Sequence, residues 1–156
     1  MLCYNNDITK KAHMFIGEYH HNIDEKGRIA VPKKFRDALE RGAVITRGLD
    51  SCLFLYTHEE WKKIAEKLAG LPLSQKNTRA FARLMLAGAM DVSLDKQGRI
   101  IIPEYLRTYA QAKKGLVITG LYNRLEIWDD KNWEEYKKTT EAESENIAEQ
   151  LSDLGV

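Results

Sequence analysis

In residues 20–31, two short strand-like segments on either side of a polar turn segment predict a β-hairpin. The letters HHNI, DEKG and RIAV follow one another, which is typical of a strand, a tight turn and a second strand. Gly27 ends the turn, where a positive φ is expected and glycine is favoured. Pro32 cannot donate the hydrogen bond that a central strand needs, but it suits the first turn of a helix. The hairpin is therefore expected to lead directly into a helix.

The next hydrophobic positions predict that short helix and then a second hairpin. Phe35, Ala38 and Leu39 fall on one face at helical spacing, and Gly42 is placed to end the helix. The runs AVIT and LFLY follow, separated by the turn letters RGLDS, and they predict two further strands. Thr57 and the glutamate three positions later match a capping box, which predicts a second, longer amphipathic helix.

The chain contains an internal repeat with a constant offset of 71 residues. Residues 23–36 are IDEKGRIAVPKKFR and residues 94–107 are LDKQGRIIIPEYLR, with six identities in fourteen positions. Farther along, residues 42–61 align with residues 115–133 after one deletion. The identical pairs are Asp24/Asp95, Gly27/Gly98, Arg28/Arg99, Ile29/Ile100, Pro32/Pro103 and Arg36/Arg107. The chain is therefore predicted to be a tandem duplication.

The duplication predicts a division of the chain into five parts. These are an N-terminal extension without stable structure at 1–13, a first repeat at 14–69, a linker helix at 70–87, a second repeat at 88–133 and an acidic C-terminal helix at 134–156. A unit of about 50 residues buries too little surface to be comfortably stable alone, and its strands leave unpaired edges. We therefore expect an α+β fold in which the two copies pair around a pseudo-twofold axis.

The composition excludes several classes of protein. Hydrophobic residues make up 44% of the 156 positions and charged residues 30%, which is typical of a globular protein with a core. No apolar run approaches the roughly 20 residues that span a bilayer, and residues 1–13 lack the apolar stretch of a signal peptide. Cys3 and Cys52 are too few and too far apart for a zinc site, and a disulfide is not expected in a reducing compartment. These features predict a cytoplasmic protein with no membrane partner.

The sequence shows no catalytic or cofactor-binding motif. It contains no G-x-S-x-G, no G-x-x-x-x-G-K-[ST] and no G-x-G-x-x-G pattern. His20 and His21 are adjacent on a predicted strand and point to opposite faces, while His13 and His58 lack ligand partners at a useful spacing. We therefore predict that the protein is not an enzyme and that it binds no metal and no cofactor.

The net charge of +1 conceals a strong asymmetry along the chain. From Glu134 to Val156 there are seven acidic residues and two lysines, whereas residues 1–133 contain 22 basic and 16 acidic residues, a net charge of +6. Local charge decides whether a surface binds nucleic acid. A nearly neutral chain is therefore compatible with a basic DNA-binding surface.

The pattern D-x-x-G-R-[IL]-x-[IV]-P occurs once in each repeat, each time before a predicted helix. It resembles the swapped-hairpin fold of the AbrB/SpoVT/MazE superfamily, and two such units in one chain, the first beginning MFIGEY, closely resemble the MraZ family over about residues 14–153. The resemblance implies an interlocked double-split β-barrel with flanking helices. It also implies a cytoplasmic, nucleoid-associated transcriptional regulator, usually a repressor. Such a regulator binds repeated promoter boxes of the division and cell-wall gene cluster as a ring-shaped homo-oligomer.

Arg28 and Arg99 are the leading candidates for contact with double-stranded DNA. Each follows the turn glycine, so that its guanidinium can project from a rigid hairpin, and arginine is well suited to bidentate recognition of guanine or phosphate. In the alternative interpretation, each arginine pairs with the aspartate four positions earlier and closes the turn. The residues expected to shape the turns are Asp24, Gly27, Asp95 and Gly98. The two aspartates are not expected to contact DNA, because phosphate repels a carboxylate.

Four lysines are further candidates for DNA contact: Lys26, Lys33, Lys34 and Lys96. Residues 23–36 contain five basic residues and residues 94–107 contain three, so we expect the first repeat to provide more of the phosphate contacts. In the alternative interpretation, Lys33 and Lys34 belong to a solvated helix face.

Two alternatives concern the aromatic residues and the acidic C-terminal helix. The aromatic residues at strand ends and helix starts are Tyr56, Trp61, Trp128 and Trp133. They have the chemistry to stack on splayed bases, but their duplicated positions beside apolar runs favour core packing. The acidic helix, in turn, would suit an antitoxin-like or scaffold module that binds another protein. Its helical pattern argues against this module, because no disordered partner-wrapping tail is predicted.

Overall fold

The computed structural model describes residues 14–156. The strands in this part are β1 (Phe15–Asn22), β2 (Arg28–Ala30), β3 (Ala43–Arg47), β4 (Leu53–Thr57), β5 (Met90–Val92), β6 (Arg99–Ile101), β7 (Gly115–Tyr122) and β8 (Leu125–Asp129). The α-helices are α1 (Arg36–Leu39), α2 (His58–Ala69), α3 (Lys76–Ala82), α4 (Glu104–Tyr109), α5 (Asp130–Ala142) and α6 (Ser144–Gln150). The predicted α+β class is confirmed, while the N-terminal extension and Cys3 lie outside the described residues.

The strands form one six-stranded antiparallel sheet and one two-stranded ribbon. The sheet has the order β1-β7-β8-β4-β3-β5, and the ribbon pairs β2 with β6. Exchanging every strand for its counterpart in the other repeat simply reverses the order of the sheet, so a pseudo-twofold axis passes between β8 and β4. The first strand of each repeat therefore lies beside the third strand of the other repeat. The two repeats share both β-structures.

The main core lies between the ribbon and the inner face of the sheet. Ile29 and Ile100 from the ribbon are buried against sheet residues such as Ile45 and Ile118, and the helices that follow the ribbon strands add Phe35 and Leu106. Because side chains alternate along a strand, the opposite face of the sheet forms a second core. That core contains Cys52, Phe54, Tyr56, Val117 and Trp128 beneath α2 and α5.

Local signals in the sequence account for the starts and ends of several helices. Thr57 precedes α2 and its hydroxyl accepts a hydrogen bond from the amide of Glu60 at 3.2 Å, which confirms the predicted N-cap. Pro32 and Pro103 precede the short helical segments that follow the ribbon strands. Gly42, with a φ of +99°, ends the first of these segments, as predicted.

The two halves of the sheet are covered differently. Helix α3 continues into a π-helical turn, Arg83–Ala87, which packs on β3. The hydroxyl of Thr46 there donates a 2.6 Å hydrogen bond to the carbonyl of Met85. The corresponding hydroxyl on β7, that of Thr119, is buried without a hydrogen-bond partner among the described residues. In the second half, α5 packs on β7 and β8, and α6, which follows a break in the helix at Glu143, remains largely exposed.

Candidate nucleic-acid interface

The two D-x-x-G-R turns have the same set of hydrogen bonds. In the first turn, the Oδ1 of Asp24 accepts from the amides of Lys26 and Arg28, each at 2.9 Å, and its Oδ2 accepts from the Nε of Arg28 at 2.6 Å. In the second turn, Asp95 makes the equivalent bonds to Gln97 and Arg99 at 2.8–2.9 Å. The ion pair that the sequence left as an alternative is therefore present in both repeats.

These hydrogen bonds stabilise the ionised form of both aspartates. The amide of Arg28 lowers the pKa of the Asp24 carboxyl below its ordinary value, and the Arg28 guanidinium adds to the effect. The amide and guanidinium of Arg99 do the same to the pKa of Asp95. Both turns therefore keep a negative charge that fixes the adjacent arginine at physiological pH.

The ion pair leaves most of each guanidinium available for another acceptor. A guanidinium has five N–H donors, and the aspartate takes only the one on Nε. The Arg28 side chain is 29% exposed and that of Arg99 is 27% exposed. The aspartate thus orients the arginine, and the four N–H donors on the terminal nitrogens can still form a bidentate contact.

The register of the ribbon places both arginines on one face. Arg28 lies opposite Ile101, Ile29 opposite Ile100, and Ala30 opposite Arg99. Ile29 and Ile100 point into the core, so the other four side chains point away from it. We call this surface the ribbon face; its residues are Arg28, Ala30, Arg99 and Ile101. The structure brings together the two arginines that the sequence predicted separately.

Contacts between the repeats fix the two turns at opposite ends of the ribbon. The amide of Val31 donates to the carbonyl of Gly98 at 2.9 Å, and the amide of Ile102 donates to the carbonyl of Gly27 at 2.8 Å. Both glycines have positive φ values, +78° for Gly27 and +76° for Gly98, as their turn positions predict. Each turn is therefore fixed by the strand that leads out of the opposite turn.

Arg36 and Arg107 each pack against the turn of the opposite repeat, a role that the sequence analysis did not predict. Arg36 lies directly against the α-carbon of Gly98, and its Nε donates to the carbonyl of Val31 at 2.9 Å. Arg107 lies against Gly27 in the same way. The identity of these two arginines across the repeat was the available signal for a shared structural role.

The four candidate lysines are all exposed. Lys26 and Lys96 lie within the two turns, while Lys33 and Lys34 begin the short helix after Pro32. The ammonium group of Lys34 lies 4.9 Å from the centre of the Tyr19 ring and 5.1 Å from that of Phe35. These rings hold the lysine stem in place while the charge still reaches solvent.

The aromatic candidates pack in the second core, as predicted. Trp128 and Tyr56 are buried, and Trp61 and Trp133 are half-buried against the same cluster. Trp128 also donates its indole N–H to the buried Glu126 carboxylate at 3.1 Å. These rings are therefore not placed for stacking on bases beside the ribbon face.

Among residues 14–156, one group has donor atoms close enough to hold a metal ion: Glu18, His20 and Glu134. His20 Nε2 lies 3.1 Å from the Glu18 carboxylate. The ammonium group of Lys137 already lies 3.2 Å from Glu18 and 3.4 Å from Glu134. We interpret the group as a surface ion-pair cluster in which a lysine supplies the positive charge.

The fold and the ribbon face define a class of duplicated α+β proteins. The two repeats together form an exposed ribbon with two arginines, each oriented by an aspartate. Residues 14–84 and 85–154 each match the family described as "MraZ protein, putative antitoxin-like". The chain belongs to the MraZ family, which confirms the resemblance inferred from the duplicated motif.

Two relatives at about 50% identity match this chain over their whole length. A protein of Caldanaerobacter subterraneus subsp. tengcongensis is 49% identical over 143 residues, and one of Pediococcus pentosaceus is 50% identical over 143 residues. In both cases the match covers 92% of this chain and 100% of the relative, and both are named "Transcriptional regulator MraZ". That name describes a regulator and not an enzyme. No helix among the described residues is long and apolar enough to cross a membrane.

Proposed function

We propose that this protein is a sequence-specific DNA-binding transcriptional regulator whose ribbon face enters the major groove. The observation that carries the proposal is the pair of aspartate-oriented arginines on the exposed face of a two-stranded ribbon. The major groove of B-DNA is about 12 Å wide and admits such a ribbon. Arg28 and Arg99 would each donate two hydrogen bonds to a guanine edge, the most common specific contact between proteins and DNA.

The exposed lysines would position the ribbon by contacting phosphates. Lys26 and Lys96 extend from the turns at the two ends of the ribbon, and Lys33 and Lys34 follow Pro32 at the end of β2 that lies beside the second turn. Phosphate contacts contribute affinity in a largely sequence-independent way. The first repeat has more of these lysines, so its half of the interface would contribute more to the affinity.

The proposal includes the fold type that the family resemblance implies, an interlocked double-split β-barrel built from swapped hairpins. Two observations support it: β2 pairs with β6 of the other repeat, and β1 and β5 each join the half-sheet of the other repeat. Such an arrangement needs both repeats to complete either half. It would make the DNA-binding ribbon a property of the duplication and not of a single repeat.

We further propose that copies of the chain form a homo-oligomeric ring on repeated promoter boxes. An exposed apolar patch at one end of the sheet supports self-association; it consists of Met14, Ile16, Leu121 and Tyr122, with Ile16 paired opposite Leu121. A second apolar stripe lies at helical spacing at the C-terminal end and consists of the half-buried Ile147 and the exposed Leu151 and Leu154. Two different surfaces of one chain that bind each other give a head-to-tail contact, which closes into a ring when the rotation permits.

In this proposal the regulated genes are those of the division and cell-wall cluster, repression is the expected outcome, and the protein acts in the cytoplasm on the nucleoid. The support is the family membership and the regulator name of the relatives. The DNA upstream of the protein's own gene is the natural first target.

A gel-shift series with that DNA tests the proposal. Arg28→Ala should weaken binding by about 5- to 150-fold, the effect of losing one bidentate pair of about 1–3 kcal/mol. Arg28→Lys should also bind weakly, because a lysine keeps the charge but not the planar pair of donors. Lys63→Ala, on α2 and paired with Glu60, is the matched control and should bind normally.

Circular dichroism and gel filtration show whether each variant keeps its fold and assembly. Normal binding by Arg28→Ala would remove Arg28 from the interface. Failure of the unaltered protein to bind any part of the upstream DNA would favour the alternative function, an antitoxin-like or scaffold module that binds another protein.

A further inference from the structure

The ribbon face is almost symmetric, and one position breaks the symmetry. The pseudo-twofold axis exchanges Arg28 with Arg99 and Ala30 with Ile101. One end of the face therefore pairs an arginine with an isoleucine, and the other end pairs an arginine with an alanine. Ile101 is 57% exposed, although its neighbours Ile100 and Ile102 are fully buried.

An isoleucine on this surface has a specific chemical counterpart in the major groove. Thymine is the only base that presents a methyl group there, and apolar side chains recognise that methyl. Side chains directly opposite each other on an antiparallel ribbon have Cβ atoms about 4.5–5.5 Å apart. Successive bases on one strand are about 3.4 Å apart. Arg28 and Ile101 are thus spaced to contact neighbouring base pairs.

We propose that Ile101 gives the ribbon face a direction on DNA by contacting a thymine methyl next to the guanine bound by Arg28. This inference rests on the proposed function and specifies the base that the same site recognises. At the other end, the shorter Ala30 is half-buried, so it would contact a thymine methyl less than Ile101 does and would impose a weaker preference on the base next to the guanine bound by Arg99.

A head-to-tail ring of identical chains would require a directional DNA-binding face. A fully symmetric ribbon would bind a box equally well in two orientations, related by the pseudo-twofold axis. Identical chains joined head to tail present their ribbons in one common direction, so only one of those orientations suits all of them. Ile101 makes the two ends of the ribbon face different. The turns differ as well, because the first has the positively charged Lys26 where the second has the neutral Gln97.

Uracil substitution tests the contact, because uracil is thymine without its methyl group. In gel shifts with the DNA upstream of the protein's own gene, thymines are replaced by uracil one at a time. The unaltered protein should lose about fourfold in affinity at one thymine per box, the effect of one buried methyl group of about 0.8 kcal/mol. Ile101→Ala should lose a similar factor on unmodified DNA and become insensitive to uracil at that thymine.

Two further variants separate this contact from a general effect on structure. Ile101→Val keeps apolar bulk at the position and should retain the sensitivity to uracil. The exchange variant, Ala30→Ile with Ile101→Ala, should move the sensitive position to the other end of the box. Circular dichroism and gel filtration check the fold and the assembly of each.

Three outcomes would overturn the inference. The first is binding by the unaltered protein with no uracil-sensitive thymine, which leaves the proposed function intact and removes only the direction. The second is a change in assembly for Ile101→Ala, which would show that another copy of the chain covers Ile101. The third, no binding to DNA by the unaltered protein, removes the proposed function as well.

Discussion

Thr46 donates its hydroxyl hydrogen bond to the carbonyl of Met85 at 2.6 Å, across the interface between β3 and the π-helical turn. The corresponding residue of the second repeat, Thr119, is equally buried but has no such partner among the described residues. Both repeats therefore have a buried threonine at this position. Among the described residues, only the first repeat has a helical turn whose carbonyl accepts the hydrogen bond of the threonine hydroxyl.

The two threonines should differ in their effect on stability. Thr46→Val removes this buried hydrogen bond, so we expect it to lower the free energy of unfolding by about 0.5–1.5 kcal/mol. Thr119→Val removes a hydroxyl that makes no hydrogen bond, so it should be neutral or slightly stabilising. Urea unfolding of the two variants measures the difference. Equal losses would show that the Thr119 hydroxyl has a partner in solution.

The glycine of the second turn should tolerate alanine poorly. Gly98 has a φ of +76°, and a β-carbon there would collide with Arg36, whose Nε is bonded to the Val31 carbonyl. Gly98→Ala should therefore cost more than the about 1–2 kcal/mol of the backbone conformation alone. Gly155→Ala is the control, because Gly155 has a similar φ of +77° and no atom within 4 Å of the added carbon. Chemical denaturation compares the two; similar losses would contradict the role assigned to Arg36.

The turn aspartates should make stability depend on pH in the acid range. The pKa values of Asp24 and Asp95 are lowered in the folded protein, first by the amides of Arg28 and Arg99. A lowered pKa contributes stability above the ordinary value of an aspartate, about 3.9, and that contribution is lost as the pH falls through the folded value. Urea midpoints should therefore decrease below about pH 4.

The double variant Asp24→Asn with Asp95→Asn identifies the source of that decrease. It should be less stable than the unaltered protein at pH 7 and should lose less stability between pH 5 and pH 3. Asp153→Asn, near the exposed C-terminal end, serves as the control and should follow the unaltered protein. A double variant that follows the acid transition of the unaltered protein would show that other groups cause it.

The internal repeat predicted much of the fold, because a duplicated motif constrains both halves at once. The turn glycines and the helix after Pro32 followed from local backbone chemistry, as did the cap at Thr57. The π-helical turn at Arg83–Ala87 could not be predicted, because it depends on packing against β3 and not on a local signal. The same limit applies to Glu143, where the acidic helix breaks into α5 and α6.

The candidate interface was only partly visible in the sequence. The sequence identified Asp24 as a turn residue and Arg28 as a candidate DNA contact. It treated the DNA contact of each arginine and its ion pair with the aspartate as alternatives. The structure shows the ion pair, in which the aspartate uses Nε and leaves the terminal nitrogens of Arg28, so the ion pair and the proposed DNA contact are compatible. Ile101 was missed since the pairing of β2 with β6, which turns it outward beside Arg28, links residues 73 positions apart.

Lys33 should contribute through a phosphate contact and not through base recognition. Lys33→Ala should weaken binding to specific and unrelated DNA by similar factors. The slope of log K against log salt concentration should become less steep by about 0.9, the expected value for one phosphate contact on B-DNA. Filter binding or fluorescence anisotropy at several salt concentrations measures this slope. Lys62→Ala, an exposed lysine on α2, should leave it unchanged, and an unchanged slope for Lys33→Ala would assign Lys33 to the solvated helix face.

Leu121 should be required for self-association. It is 40% exposed and pairs with Ile16, which is 52% exposed, so the two form the centre of the apolar patch at the end of the sheet. Leu121→Asp places a charge in that patch, and burying an unpaired carboxylate is costly enough to prevent a contact that covers it. Sedimentation velocity should show a shift from the assembled form to smaller species with an unchanged circular dichroism spectrum. Leu73→Asp, in the loop before α3 and 81% exposed, is the matched control and should assemble normally.

Because several linked ribbons bind repeated boxes more tightly than one ribbon, Leu121→Asp should also lose affinity for DNA with several boxes while keeping its affinity for a single box. Full assembly by Leu121→Asp would exclude this patch from the contact between copies.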